Sequence, residues 1–174
     1  MGKVDWRPFD FAGVDHYWDA RTQDRYVAML RPFFDSGKPV VVTGTGSRAY
    51  RGAHNSGTLG FGAVDYRSQF LHGIPVIGRF VRPRLKGAYI RDEGEQARHL
   101  TTVLGLLDGA GVDGVFLDTF VEPIATFSED PRHDLDMSAL SLVKSYTDRH
   151  GSVYPDMTWD LKESFQAVAN DFSK

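Results

Sequence analysis

The sequence predicts an α/β protein built from parallel strand–helix units, and three observations carry that prediction. Val40–Val42 is an unbroken β-branched run, bounded by Pro39 and Gly44, which is typical of a strand buried on both faces. Apolar residues with helical spacing lie on either side of that run. A second apolar run, 114–120, follows the later helical stretch. Strands that alternate with helices in this way predict a parallel sheet with crossover helices.

The first half of the chain contributes one strand–helix unit. A strand is predicted over 11–17, which ends in polar residues, and a helix over 22–36. The helix carries a stripe of apolar residues at positions i, i+3, i+4, i+7 and i+8, and Pro32 is expected to kink its last turn.

Two more helices are predicted in the second half. One spans 92–109, where Asp92 is a suitable N-cap and an acidic residue three positions later completes a capping box. The other spans 160–172, with Asp160 in its capping pair. A short strand or hairpin arm is expected over 140–146.

The interval from about 47 to 90 lacks regular periodicity and is rich in glycine. It is predicted to be a long irregular insertion within a single α/β domain that covers residues 1–174.

Composition excludes several classes of function. The formal net charge is -3, so no global basic field indicates nucleic-acid binding. There are no cysteines, and no apolar run is long enough for a membrane span. We therefore predict a cytoplasmic protein that has no metal or cofactor and binds neither nucleic acid nor membrane.

Two local patterns leave alternatives open. The acidic stretch 128–136 could ligate a hard cation, but it lacks the spacing and the glycine of an EF-hand, and a solvated or salt-bridged loop fits it better. Gly44-Thr-Gly46 is a glycine-rich turn after a strand, yet without a third glycine and a following helix it is a weak indication of nucleotide binding.

Three segments resemble the last three βα units of a TIM barrel of the clan-A glycoside hydrolase type. Val14–Tyr17 resembles the sixth strand, whose end carries a His/Tyr pair beside the sugar. The stretch 38–46 resembles the seventh strand, and 111–120 resembles the eighth. The resemblance implies a partial barrel with carbohydrate binding or hydrolysis at its mouth. The residues it places at that mouth to bind substrate are Asp15, His16, Tyr17, Thr43, Arg48, Tyr50 and Arg51.

A narrower resemblance covers most of the chain from residue 38 onward. The motifs are similar to those of an actinobacterial group labelled abortive-infection proteins, which have a glycosidase-like barrel. They are Tyr50–Ala53, Arg91–Arg98, Asp130–Met137 and Tyr154–Trp159.

The sequence departs from the glycosidase pattern at two points. Gly44 stands where the seventh strand would end in the nucleophilic glutamate, and the segment that carries the general acid is absent. Asp118 and Glu122, which a period of two places on one face, are the carboxylates left for catalysis, unless an arginine pairs with them. We expect the chain alone to be inactive.

Three strands cut from a barrel leave two open edges and an uncovered inner face. The alternative function is therefore a non-catalytic binding or assembly module. It would pair with a second copy or with a partner chain through those edges.

Overall fold

The computed structural model describes residues 4–19, 21–55 and 63–173. Its centre is a parallel sheet of three strands. In spatial order they are β1 (Ala12–Asp15), β2 (Val40–Thr45) and β3 (Gly114–Leu117). Val42 of the middle strand lies beside Val14 on one side and Val115 on the other. The predicted α/β class with parallel strands is confirmed, but in the described part of the chain the strands do not close into a barrel.

The segment 22–36 is not the continuous helix that its periodicity predicts. It forms two short 3-10 turns, Gln23–Arg25 and Ala28–Leu30, followed by one turn of α-helix, α1 (Arg31–Phe34). Pro32 lies at the start of α1, where its missing N–H costs nothing, rather than inside a longer helix. Tyr26 and Leu30 of the predicted stripe are nevertheless fully buried against the sheet.

A second short helix lies in the predicted insertion. It is α2 (Tyr66–His72), which begins at Asp65, whose carboxylate accepts hydrogen bonds from two backbone N–H groups of the first turn. The insertion has its own apolar core, in which Tyr50 and Leu85 pack with residues from 125–139. The insertion is therefore packed against the segment that follows β3.

The longest helix is α3 (Glu93–Gly109), close to the predicted span. The N-cap is confirmed, because Asp92 accepts a hydrogen bond from the Glu95 N–H at 2.8 Å. The capping box is not formed, since the Glu95 carboxylate accepts from the Gly52 N–H at 2.8 Å. The Asp92 N–H donates instead to the Ala49 carbonyl.

The closing helix begins later than the sequence predicts. Two antiparallel strands, β4 (Val143–Ser145) and β5 (Trp159–Leu161), precede a shorter closing helix, α4 (Glu163–Phe172), which packs on α3. Asp160 therefore lies in β5 and does not cap a helix. Its carboxylate accepts hydrogen bonds from Tyr146 and from the turn at Ser152.

The two faces of the parallel sheet have different surroundings. On one face Val14, Val42 and Val115 pack against α3 and the 22–34 segment. On the opposite face Phe11 and Phe116 remain 48% and 64% exposed. The sheet is therefore covered on one face only by the described residues. In the same ranges, β1 and β3 are its edge strands.

Candidate functional site

A cavity of about 660 Å³ opens beyond the carboxyl ends of β1 and β3, and we call it the strand-end cavity. Four of the nine predicted site residues line it: Tyr17, Arg48, Asp118 and Glu122. Crevices at this end of parallel strands are where α/β proteins usually bind ligands. Further walls come from α2, from the segment after β3 and from the loop before β4; the residues that form them are Val64, Tyr66, Gln69, Thr119, Ile124, Ala125, Leu135, Ser138 and Leu140.

Tyr17 and Asp118 form a direct hydrogen bond across the cavity mouth. The Tyr17 hydroxyl donates to Oδ2 of Asp118 at 2.7 Å. Burial raises the pKa of Tyr17, and both the bond to Asp118 and the negative charges of Asp118 and Asp15 raise it further. The hydroxyl therefore stays protonated at neutral pH and holds the carboxylate as its acceptor.

Glu122 lies in the same cavity, and its pKa is raised above the ordinary value. Burial raises the pKa of Glu122, the charge on Asp118 adds to that shift, and Lys162 opposes it. Glu122 is thus biased toward the protonated acid, while Asp118 is a hydrogen-bond acceptor. A carboxyl group whose pKa is raised by burial is suited to donate a proton or a hydrogen bond to a ligand.

Arg48 supplies a positive charge to this cavity. Its side chain is buried, and Nε donates to the Ser138 carbonyl at 3.1 Å, which fixes the guanidinium against the loop before β4. Glu122 and Tyr17 are close enough to raise its pKa, although burial lowers that pKa by more. The cavity therefore offers a cation beside an acid and a hydroxyl.

Asp15 and Thr43 lie on the open face of the sheet, next to the cavity. Oγ1 of Thr43 donates to Oδ1 of Asp15 at 2.8 Å. A Cβ atom at Gly44 would lie 3.0 Å from that Asp15 oxygen and 3.3 Å from the Tyr17 hydroxyl oxygen. The space that a side chain at position 44 would enter is thus already lined by Asp15 and Tyr17.

The remaining three predicted residues do not line the cavity. His16 is buried beneath β1, with Nε2 2.8 Å from the Tyr26 carbonyl oxygen and its ring stacked on Tyr26. Tyr50 is buried in the core of the insertion. Arg51 is exposed and its Nε lies 3.6 Å from a carboxylate oxygen of Asp92.

The acidic stretch 128–136 contributes to a charged cluster that sequence reasoning did not assemble. Arg91 contacts Asp134 at 2.7 Å and Asp136 at 2.9 Å, and Lys162 contacts Asp136 at 3.1 Å. The charged cluster comprises Arg91, Glu93, Asp134, Asp136, Lys144 and Lys162. Each of the motifs 91–98 and 130–137 contains residues of the charged cluster, so the opposite charges in these two motifs are the sequence signal that could have indicated it.

In the charged cluster every carboxylate has a cationic partner. Asp136 and Lys162 are fully buried, and the Lys162 ammonium also donates to the carbonyl and hydroxyl oxygens of Ser141. Burial lowers the pKa of Lys162, and the Asp136 carboxylate opposes that shift. This arrangement is that of a structural ion network rather than an open reactive site.

No family model matches the chain, and no curated protein matches it. Across the described ranges there is no group of three or more side chains placed to hold a metal ion. In the same ranges, none of the helices has both the length and the apolar character needed to cross a membrane. The fold and site thus define an α/β protein with a largely apolar strand-end cavity that contains a few charged and polar groups.

Proposed function

We propose that the chain binds a carbohydrate in the strand-end cavity, as a segment related to the last three βα units of a glycoside hydrolase barrel. The observation that carries this proposal is the presence of Asp118 and Glu122 in one cavity, with Tyr17 and Arg48 beside them. Carboxylates, a phenol and a guanidinium together provide donors and acceptors for several sugar hydroxyls. Three parallel strands in sequential order support the relation to a barrel.

Hydrolysis by the chain alone is not part of this proposal. Glycoside hydrolysis needs two carboxyl groups on opposite sides of the scissile bond at a set separation. Gly44 has no side chain to serve as one of them, and a Cβ added there would lie 3.0 Å from the Asp15 carboxylate and 3.3 Å from the Tyr17 hydroxyl, so those side chains would have to shift. Glu122 and Asp118 would then bind and orient the sugar.

The test is a titration of mono- and oligosaccharides by calorimetry, together with a panel of chromogenic glycosides. We expect binding without turnover, and a loss of affinity of about tenfold or more in Asp118→Asn and Glu122→Gln, because a charged hydrogen bond is lost in each. Asp108→Asn is the matched control, since Asp108 is an exposed residue of α3 away from the cavity. Absence of binding across the panel, or equal losses in the control, would sink the proposal.

The second candidate function is assembly through the sheet. Its support is that β1 and β3 are edge strands in the described ranges, and that Phe11 and Phe116 are exposed on the open face. Light scattering should then give a mass above that of one 19.5 kDa chain. Phe116→Asp should restore the single-chain mass, whereas the same substitution at Phe172, an exposed residue of α4, should not. A single-chain mass for the unaltered protein would rule out self-assembly.

A further inference from the structure

The segment 65–86, here called the basic loop, is strongly basic although the chain as a whole is acidic. It contains five Arg and Lys residues and one acidic residue, a formal charge of 5 − 1 = +4 in a chain of net charge -3. It comprises α2 and the 3-10 turn Gly78–Phe80. Only Tyr66 and Gln69 of this loop line the strand-end cavity, so the carbohydrate proposal leaves most of it without a role.

The two ends of the basic loop are joined to each other. Nε of Arg84 donates to Oδ2 of Asp65 at 3.0 Å, and the Asp65 N–H donates to the Arg84 carbonyl at 2.9 Å. The Arg84 N–H also donates to Oγ of Ser68 at 3.0 Å. Farther along the loop, Nδ1 of His72 lies 2.7 Å from the Val81 carbonyl oxygen. These contacts hold the loop in a defined shape, so the side chains on its surface keep fixed relative positions.

Large apolar side chains of the basic loop face solvent. Phe70 is 73% exposed, Val76 is 69% exposed and Ile77 is 42% exposed. Phe80, at 82%, is the most exposed large apolar residue in the described ranges. Exposed apolar side chains that cluster in this way mark surfaces that contact another protein or a membrane.

Three cations of the basic loop have no carboxylate partner. Arg67, Arg79 and Arg82 are exposed, and none of them forms an ion pair within the described residues. Asp65, the single acidic residue of the loop, is already paired at its base. These guanidinium groups therefore keep their charge available for an anionic partner.

The apolar and basic side chains of the loop lie on one surface. Arg67, Phe80 and Arg82 line a single hollow of about 560 Å³, in which Asp65 is the only carboxylate among the described lining residues. The Arg79 guanidinium lies 6.0 Å from the centre of the Phe80 ring. The exposed phenylalanine is thus surrounded by positive charge.

Acidic side chains compensate only one of the three cations from outside the loop. Glu129 and Asp148 line a groove together with Arg82, but neither Arg67 nor Arg79 lines that groove. We therefore assign the binding of anions chiefly to Arg67 and Arg79.

An anionic lipid bilayer matches both halves of this surface. Apolar side chains enter the boundary between headgroups and acyl chains, while arginines remain at the negatively charged headgroups. A nucleic acid would engage the arginines but would leave Val76 and Ile77 in water. The prediction that the chain binds no membrane was based on spanning segments, and contact at the membrane surface requires none.

We propose that the basic loop docks on the surface of an anionic membrane, with Phe70, Val76 and Phe80 in the headgroup region and Arg67 and Arg79 against negatively charged headgroups. The loop also forms part of the wall of the strand-end cavity, so a docked chain would hold that cavity close to the membrane. This proposal stands independently of the carbohydrate proposal.

The test is co-sedimentation of the full chain with vesicles of two compositions, phosphatidylcholine alone and equal parts of phosphatidylcholine and phosphatidylserine. The protein should bind the mixed vesicles and not the neutral ones, and added salt should weaken the binding. Phe80→Ser should weaken binding to the mixed vesicles about tenfold, because a phenyl ring no longer leaves water. Arg67→Gln and Arg79→Gln should each weaken it about fivefold.

Phe172→Ser and Arg25→Gln are the matched controls, since both residues are exposed and lie outside the basic loop. Each should stay within about twofold of the unaltered protein. The proposal is overturned if the chain does not sediment with the mixed vesicles, if it binds neutral vesicles equally well, or if the controls lose as much affinity as the loop variants. Binding to duplex DNA without binding to vesicles would also overturn it and would assign the arginines to nucleic acid.

Discussion

Two groups of carboxylates in this molecule differ in burial and in their neighbours: Asp134 and Asp136 are buried, whereas Glu122 is half-buried and Asp118 is exposed. In the charged cluster Asp134 and Asp136 are each paired with a cation, at 2.7 to 3.1 Å. In the strand-end cavity Glu122 forms no ion pair within the described residues, and Asp118 accepts a hydrogen bond from the neutral hydroxyl of Tyr17. The carboxylates of the charged cluster are thus each compensated by a cation in direct contact, whereas Glu122 and Asp118 have no such contact and keep acceptor capacity for a ligand.

The largest expected effect is on the compensated group. Arg91→Met leaves Asp134, Asp136 and Glu93 without the guanidinium that they share. Removing one member of a buried ion network costs about 3–5 kcal/mol, because the remaining charges stay desolvated. Urea unfolding at pH 7 measures this loss, with Arg98→Met on the exposed side of α3 as the control. A loss as small as that of the control would remove the distinction between the two groups.

His99 extends the comparison to a buried group that has no hydrogen-bond partner among the described residues. Both of its ring nitrogens are buried and lack a hydrogen bond within the described residues, and burial lowers the pKa of His99 to about 4. The unfolded ring binds a proton near pH 6.5, so stability should fall as the pH drops from 6.5 toward 4. The loss should reach about 3 kcal/mol at the lower pH.

The measurement for His99 is the free energy of unfolding from pH 7 to pH 4, in the unaltered protein and in His99→Leu. The difference between the two profiles isolates this side chain from the carboxylates that also titrate. Parallel profiles would show that His99 does not titrate with a lowered pKa.

A smaller effect is expected at Tyr17. Tyr17→Phe removes the hydroxyl that donates to Asp118 and should cost about 1 kcal/mol, the net value of one hydrogen bond. Thermal unfolding at pH 7 measures this loss of stability. Tyr154→Phe, at an exposed residue that does not line the strand-end cavity, is the matched control. A loss comparable to that of Arg91→Met would place Asp118 among the structural carboxylates.

The smallest effect has the opposite sign. The folded-state pKa of Glu122 is raised above its ordinary value of 4.5, so the ionised group opposes folding at neutral pH. Glu122→Gln should therefore be slightly more stable than the unaltered protein at pH 7, and the gain should disappear below pH 4.5. Paired urea titrations at the two pH values measure it. A destabilised variant at pH 7 would indicate that Glu122 is compensated after all.

The sequence predicts the parts of this fold that depend on local patterns. The run Val40–Val42 and the stripe of α3 are strong signals because burial repeats at a fixed period there. The segment 22–36 does not form the single helix that was predicted, although its apolar residues have a helical period. Pro32 is tolerated only near the start of a helix, and the α-helix here is one turn long, Arg31–Phe34. The strand β5 was missed because its three residues have too little periodicity to separate them from the start of α4.

Side-chain placement was predictable only where strand direction determines it. Tyr17 and Asp118 meet because both follow the carboxyl ends of strands in one parallel sheet. His16 is adjacent in sequence but points to the helix-covered face, the face that a period of two counted from Val14 assigns to it. The charged cluster joins positions 91 and 162, and no local pattern encodes such long-range pairing.

The spread of the charged cluster along the chain has a consequence for synthesis on the ribosome. Its acids Asp134 and Asp136 emerge before Lys162, the last cation to be made, and that ammonium is fully buried against Asp136 in the finished protein. A nascent chain that stops short of position 162 cannot neutralise Asp136 completely, and distant contacts are the slowest to form. The C-terminal half should therefore acquire protease resistance only after Lys162 and the residues of α4 have left the exit tunnel.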